Sequence, residues 1–566
     1  MNEVKKVYKG LIRIVFLILT LIIFIPTFAY TKQKDSDKDS QKRVVLKKNR
    51  VNGKNTLTQS MFNNPNTTYI IRRDFVLDKS IIIPANCTLE FKRGSISGGC
   101  ISGTNTSIKY KSEIFKHVEL SGSWNVPVIH SYMFSEKEED NFLPNLFKLC
   151  NDNVDNTIII DPGVYHLYTK RKGYTIPKIY SNTTLDIEGT IYIGSDNQDG
   201  GIGFVCTGNN IHVKGKGKIV GDRGTNTSDT EWSPVFFCNN CDSLLIEGVT
   251  IEDSYGDGVY CRYNCNNTTI KGVTFIRNRR CAIAFNSGRN NTITQCVFID
   301  NGGRAPGCAI EFENDGKDMD IPIVNSLVIN NFFKHNDRDI VLGAGNTYTD
   351  NVIIKGNKSD NSVKSFFSIP GMNSNYDIRN VTVEDNTVTG CFMFINACFK
   401  NKAIIRDNII RTETEDAKTP CLNIKGNVLC ENNTIVCPKR PAFENTYGGY
   451  YESSFDMINN KITAYNSILQ LNNSLIEGNT FDLNHLMLFL YDKSECKENI
   501  INGIHPSGHL LYLGLSDSEF KDNSVDFNNT PNYGIKLVRK QGKSIMANNT
   551  YKNIEAGRTI LESRNE

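Results

Sequence analysis

The chain has 566 residues, of which 22% are charged, and a formal net charge of +3. This near balance, with no extended basic stretch, argues against a nucleic-acid partner. Glycine is plentiful at 43 and proline scarce at 16, as turn-rich β structure requires, and a chain of this length stays one domain only if it grows in one dimension.

At the N-terminus, Lys5, Lys6, Lys9 and Arg13 precede an apolar run from Ile14 to Tyr30, and Thr27-Phe28-Ala29 offers small residues for cleavage. The pattern predicts a signal peptide over residues 1–29. The alternative is an uncleaved membrane anchor, because 17 apolar residues lie near the lower limit for a span. Either way the rest of the chain is expected outside the cytoplasm: periplasmic, at the cell surface or secreted. Residues 30–60 are polar and charged and read as a linker.

Residues 61–180 read as the start of a β-helix and its capping region. Short strands such as Ile81-Ile82-Ile83-Pro84 and Leu89-Glu90-Phe91 alternate with turns. Phe142 to Cys150 is the one helical segment, with Leu143, Leu146, Phe147 and Cys150 on its apolar face. It is placed to cover the open end of a stack whose unpaired edge would otherwise template aggregation. Thr157 to Tyr165 then reads as a strand entering a turn.

Residues 181–561 carry the decisive pattern. Asn331, Asn357, Asn386, Asn408, Asn433, Asn460, Asn479, Asn499, Asn523 and Asn549 recur at gaps of 19 to 29 residues. Each sits between short Ile-, Val- and Phe-rich runs, as in Ile405-x-x-Asn408-x-Ile410 and Phe520-x-x-Asn523-x-Val525. Such a period means stacked repeats. Asn tolerates the left-handed conformation of a sharp bend, and its amide can bond to its counterpart one coil away. The same phase continues upstream with Val249, Val273 and Cys296 at the ladder position. The predicted fold is all-β, a right-handed parallel β-helix with a short N-terminal capping helix. A leucine-rich repeat is the main rival, but the leucine consensus it needs is missing.

Seventeen cysteines invite a disulfide reading. Several instead fall at repeat positions otherwise held by apolar residues, so most are expected to be small buried core residues. Cys238-x-x-Cys241 and Cys261-x3-Cys265 are compatible with two bridges or a zinc site, but no histidine lies near, and no metal is assigned.

The segment Ile159 to Tyr165 resembles the opening strand-and-turn of pectate-lyase-superfamily β-helices. Gly217 to Arg223 with Glu231-Trp232, Tyr255 to Val259, and Asn278-Arg279-Arg280 through Pro306 to Glu313 are similar to gut-bacterial and phage-tailspike β-helix proteins. The resemblance covers roughly residues 65 to 345 and implies a carbohydrate ligand. The superfamily mixes lyases, hydrolases, epimerases and glycan-binding spikes, so it implies a substrate class rather than a reaction.

The residues single out the same region. Gly258 to Arg262, Ala282 to Asn286 and Ala309 to Glu313 align as adjacent coils. Alternation puts Ile283, Phe285, Ile310 and Phe312 inward. One outward column is then Tyr260, Ala284 and Glu311, and the next is Arg262, Asn286 and Glu313, with Ala284 leaving room at the centre. Asp257 and Arg280 approach from the turns. Insertions at 220–233 and 314–323 would wall a groove, with Trp232, Tyr255 and Tyr260 as platforms for sugar rings.

Glycoside hydrolysis needs a proton donor and a second carboxylate. Glu311, Glu313 and Asp257 are the candidates for catalysis. Arg262, Arg280, Asn286, Tyr260 and Trp232 are the candidates for substrate binding, the arginines orienting acidic groups. Under this reading no cofactor is needed. In a calcium-dependent lyase, Asn286, Glu311 and Glu313 would instead hold the ion, with Arg280 or Lys317 as base. A non-catalytic glycan-binding β-helix is the third reading. The expected partner is a polysaccharide. A membrane is met only through an uncleaved N-terminal segment, and oligomeric state is not encoded in any pattern here.

Overall fold

The computed structural model describes residues 42–562 except 78, 136–141, 152–153, 170–175, 195–200, 230, 232, 315–319, 344, 346, 371–376, 417, 446–453, 505–508, 529–533 and 554–560. The expected leader over 1–29, the first part of the linker, Trp232 and Lys317 therefore lie outside the described residues. Among the described residues no helix is long and apolar enough to cross a membrane.

Stacking begins earlier than the asparagine repeat. Lys54–Leu57, Phe75–Leu77, Ile96–Ser97 and Phe115–Lys116 pair in parallel, each one coil beyond the last. Thr67–Ile71, Thr88–Phe91, Cys100–Lys109 and Glu119–Asn125 form a second parallel sheet beside them. Asn66, Asn86 and Asn105 turn this stack in left-handed conformation and bond side chain to side chain at 3.2 and 2.8 Å.

The helix spans Phe142–Phe147, shorter than the sequence pattern, and all six of its residues are buried. Phe142 stacks on Tyr165 at 5.6 Å, and Phe147 packs on Phe204 at 5.8 Å. Asn145 donates to the Val118 carbonyl at 3.1 Å and accepts from the Leu120 N–H at 3.3 Å. The helix thus packs on the first coils of the main stack and hydrogen-bonds to the preceding stack.

From Val128 onward, the chain winds into a 24-stranded and a 20-stranded sheet whose rungs are parallel throughout. Through the middle of the stack each turn has three strands. In one turn these are Thr250–Glu252, Val259–Tyr263 and Thr269–Lys271. Inward residues stack by type, as in Phe275, Phe298 and Phe333, whose rings lie 5.2 and 4.9 Å apart. Val249, Val273 and Cys296 are buried at the positions anticipated for them.

The asparagine ladder runs unbroken from Asn331 to Asn549. Each Nδ2 donates to the next Oδ1 at 2.9–3.1 Å. The same Oδ1 also accepts the backbone N–H of the asparagine before it, as Asn433 Oδ1 does from Asn408 at 3.1 Å. One detail departs from expectation. The left-handed residue is the one before each ladder asparagine, such as Asp385, Asp407, Asn432 and Asp522, while the ladder residue supplies the amide. A second buried ladder, Asn278 to Asn301 to Asn336, serves the next corner at 2.9 Å per rung.

Of the seventeen cysteines, fifteen are buried, and none is bridged among the described residues. This agrees with their reading as small buried residues.

Candidate active site

Four parallel strands build the site: Val259–Tyr263, Cys281–Phe285, Cys308–Phe312 and Arg338–Leu342. Their register pairs Tyr260 with Ala284, Ala284 with Glu311, and Glu311 with Val341. Ile283, Phe285, Ile310 and Phe312 enter the main core as alternation requires. The column anticipated from the sequence therefore exists.

Its exposure differs from expectation. Tyr260, Ala284 and Val341 join Cys281 and Cys308 in a separate apolar cluster outside the main core, with Phe237 packed against it. Glu311 is only 2% exposed and Asp257 4%. The space over Ala284 is filled by these neighbours rather than left open. Of the next column, Arg262 is exposed, while Asn286 and Glu313 are half-buried.

The charged groups do converge. Arg280 Nη1 donates to Asp257 at 3.1 and 3.2 Å and lies 3.4 Å from Glu311 Oε2. Asp257 Oδ1 also accepts the Cys281 backbone N–H at 3.0 Å, and Cys281 Sγ donates to Glu311 Oε2 at 3.4 Å. Arg280, read from the sequence as a substrate clamp, is thus engaged by two carboxylates of its own chain. Burial opposes its charge, and the Asp257 carboxylate against it favours the charged form.

Burial pushes Asp257 above the ordinary carboxylate range against the pull of Arg280. Burial pushes Glu311 much further; Arg280 again opposes, and Glu313 adds to the rise. Glu313 sits two residues further along, on the same side of the strand. Two carboxylates cannot bond, and Glu311 Oε1 has no donor near it. A proton on Glu311 would make it the donor that such a pair requires. Glu313 in turn lies across Gly343, where an added Cβ would stand 3.0 Å from Glu313 Cγ. The glycine of the following coil makes room for the side chain, a role its place in the sequence did not reveal.

The flanking residues are more occupied than the sequence implied. The Tyr255 ring carries the Arg279 guanidinium 4.0 Å from its centre, and its hydroxyl donates to the Ser228 carbonyl. Tyr260 packs on Phe237 at 5.8 Å. Neither ring is an open platform. The insertion after Val220 lies along the corner beside Asp257: the Ser233 carbonyl accepts from Ser254 Oγ and from the Gly256 N–H, both at 3.1 Å. Arg304 ties Asp229 and Glu231 to the same corner at 2.7 and 3.2 Å. Among the described residues no group of three or more His, Cys, Asp or Glu is placed to hold a metal ion.

Sequence reasoning missed Asp339. It is fully buried, accepts from Asn336 Nδ2 at 3.0 Å and from the Ser359 and Ser362 hydroxyls at 2.5 Å each, and ends the second ladder. Its signal in the sequence, an acid two residues ahead of the strand's apolar pair Val341-Leu342, is indistinguishable from a surface residue.

Residues 233–334, which include most of this site, match the family described as right-handed beta helix region. The uncharacterized protein YclG of Bacillus subtilis (strain 168) is 30% identical over 184 residues, which is 28% of this chain and 30% of that protein. The chain thus matches less than a third of the length of that curated relative. Among solved structures, the tailspike protein of E. coli bacteriophage HK620 in complex with a pentasaccharide is 15% identical with a TM-score of 0.39, over 73% of this chain and 74% of the tailspike. A mutant of that tailspike, also in complex with a pentasaccharide, is 14% identical with a TM-score of 0.43, over 73% of this chain and 75% of the other. The fold is a right-handed parallel β-helix, and at these identities its chemistry has to be argued from its own residues.

Proposed function

We propose that the protein is a secreted polysaccharide-degrading enzyme that hydrolyses glycosidic bonds, with an acidic, uronate-containing glycan as its substrate. One observation carries the reading. A buried Glu311, whose burial favours the protonated form, stands behind a half-exposed Glu313 on the outer face of three stacked coils. The pair is a store for the proton that a departing sugar oxygen requires. Two residues of strand separate their backbones by about 7 Å, so the carboxyls part when Glu313 turns toward a sugar. Asp257 and Arg280 hold Glu311 in place, and Arg262 is exposed on the neighbouring outward column.

The lyase alternative is less well supported. Calcium would need Glu311 ionised, whereas burial favours its neutral form, and Arg280 already occupies the oxygen facing it. Val341 and Gly343 stand in the coil where the base would be sought. A non-catalytic, glycan-binding role is favoured by the burial of Asp257 and Glu311, which leaves Glu313 as the more accessible carboxylate of this cluster.

Incubation with a panel of plant and host polysaccharides separates the three. A hydrolase releases reducing ends without the ultraviolet absorbance of an unsaturated uronate, and EDTA leaves it active. New ultraviolet absorbance lost on adding EDTA would establish the lyase instead. Binding without any new ends would establish the third reading.

A further inference from the structure

Cys281 and Cys308 are register partners on adjacent parallel strands, and both point away from the main core into the second apolar cluster. Their sulfurs are 3.4 Å apart, in contact, and both residues are fully buried. Paired residues on neighbouring strands lie about 4.8 Å apart, inside the span of roughly 4.4–6.8 Å that a disulfide bridges. Each sulfur has to move well under 1 Å, by a small χ1 rotation, to reach bonding distance near 2.05 Å. Ala284, the neighbour they share in that cluster, is small.

Cys206, Cys238 and Cys261 also stack in register, within the main core. Cys241 donates to the Cys206 carbonyl at 3.1 Å, and Cys265 to the Cys238 carbonyl at 3.5 Å. In the Cys281 pair, by contrast, the remaining sulfur contact is the carboxyl of Glu311.

We propose that Cys281 and Cys308 are an oxidisable pair that forms a disulfide staple between two coils. The oxidant is a low-molecular-weight disulfide such as oxidised glutathione. One cysteine thiolate attacks it, releasing one reduced thiol and leaving a mixed disulfide. The second cysteine attacks the protein sulfur of that bond, releasing the other. Two S–H bonds and the reagent's S–S bond break, one protein S–S bond forms, and the two released thiols carry the electron pair and both protons. Burial raises both thiols, so the bond forms during folding or local opening rather than on the closed surface. Once formed, it takes the Cys281 S–H away from Glu311 Oε2. The staple itself does not depend on the glycan reading.

The test is peptide mapping without reductant. The full chain is unfolded and refolded in oxidised glutathione, the remaining thiols are alkylated, and the digest is analysed by mass spectrometry. The expected result is one cross-linked pair of peptides containing Cys281 and Cys308, lost on reduction. It is accompanied by a Tm a few degrees higher than in reductant. Cys308→Ala abolishes both the cross-link and the redox dependence of Tm. If that variant fails to fold, the wild-type map alone decides. Alkylation of both cysteines, or only mixed disulfides with glutathione at them, after refolding in the oxidant would overturn the inference.

Discussion

At the scale of single residues, two buried carboxyl groups stand out, and they differ in what surrounds them. Glu311 shares Arg280 with Asp257, and burial with Glu313 nearby raises its pKa well above the ordinary range. Asp339 has no cation beside it in its hydrogen-bond set, only an amide and two hydroxyls, and burial raises it to about 7. The folded chain therefore keeps the Asp339 proton up to about pH 7, while the unfolded chain releases it near the ordinary value of 3.8. The folded state binds more protons in that window, so this group's contribution to stability falls as pH rises through it and levels off above. The loss is on the order of 4 kcal/mol across the window. Asp339→Asn is expected to be flatter than wild type between those limits in urea denaturation at a series of pH values. Equal slopes for the two proteins would mean that Asp339 is ionised in the fold.

At the scale of elements, the corners hold the coils in register. Asn433 accepts from Asn408 twice and donates to the Ile405 carbonyl and to Asn460. Asn433→Ala leaves several of these buried groups without partners and should cost about 3 kcal/mol or more. Its neighbour Asn432 does a different job, supplying a left-handed backbone at φ 55°. Asn432→Gly should therefore be tolerated within a few tenths of a kcal/mol, and Asn432→Val should cost about 1–2 kcal/mol. Chemical denaturation of the three variants checks the division of labour. The ladder was legible in the sequence because a buried amide has to recur in the same phase, whatever the loops between. The left-handed positions were not assigned correctly, because asparagine serves both places and spacing alone does not say which one bends.

At the scale of the whole molecule, the coils supplied the register that sequence alignment of Tyr260, Ala284 and Glu311 had proposed. Alternation along a strand says which side of the sheet a residue takes, and that was read correctly. It does not say what lies on top. The burial of Glu311 comes from Cys308 on its own strand and from Tyr260, Val341 and Cys281, which arrive from neighbouring coils 30 to 51 residues away in the chain. Arg280 likewise looked like a free cation, because nothing in its local sequence shows Asp257 and Glu311 closing on it. Cover and pairing are long-range facts, whereas fold class is a periodic one. In the proposed function, a proton on Glu311 passed by way of Glu313 drives cleavage of a glycan. Its most direct test is the rate of reducing-end release by Glu313→Gln beside wild type, on whichever polysaccharide the wild-type protein cleaves. The predicted result is a fall of at least about 100-fold with the β-helix circular dichroism and Tm unchanged. A Glu313→Gln protein that cleaves at the full wild-type rate would contradict the account.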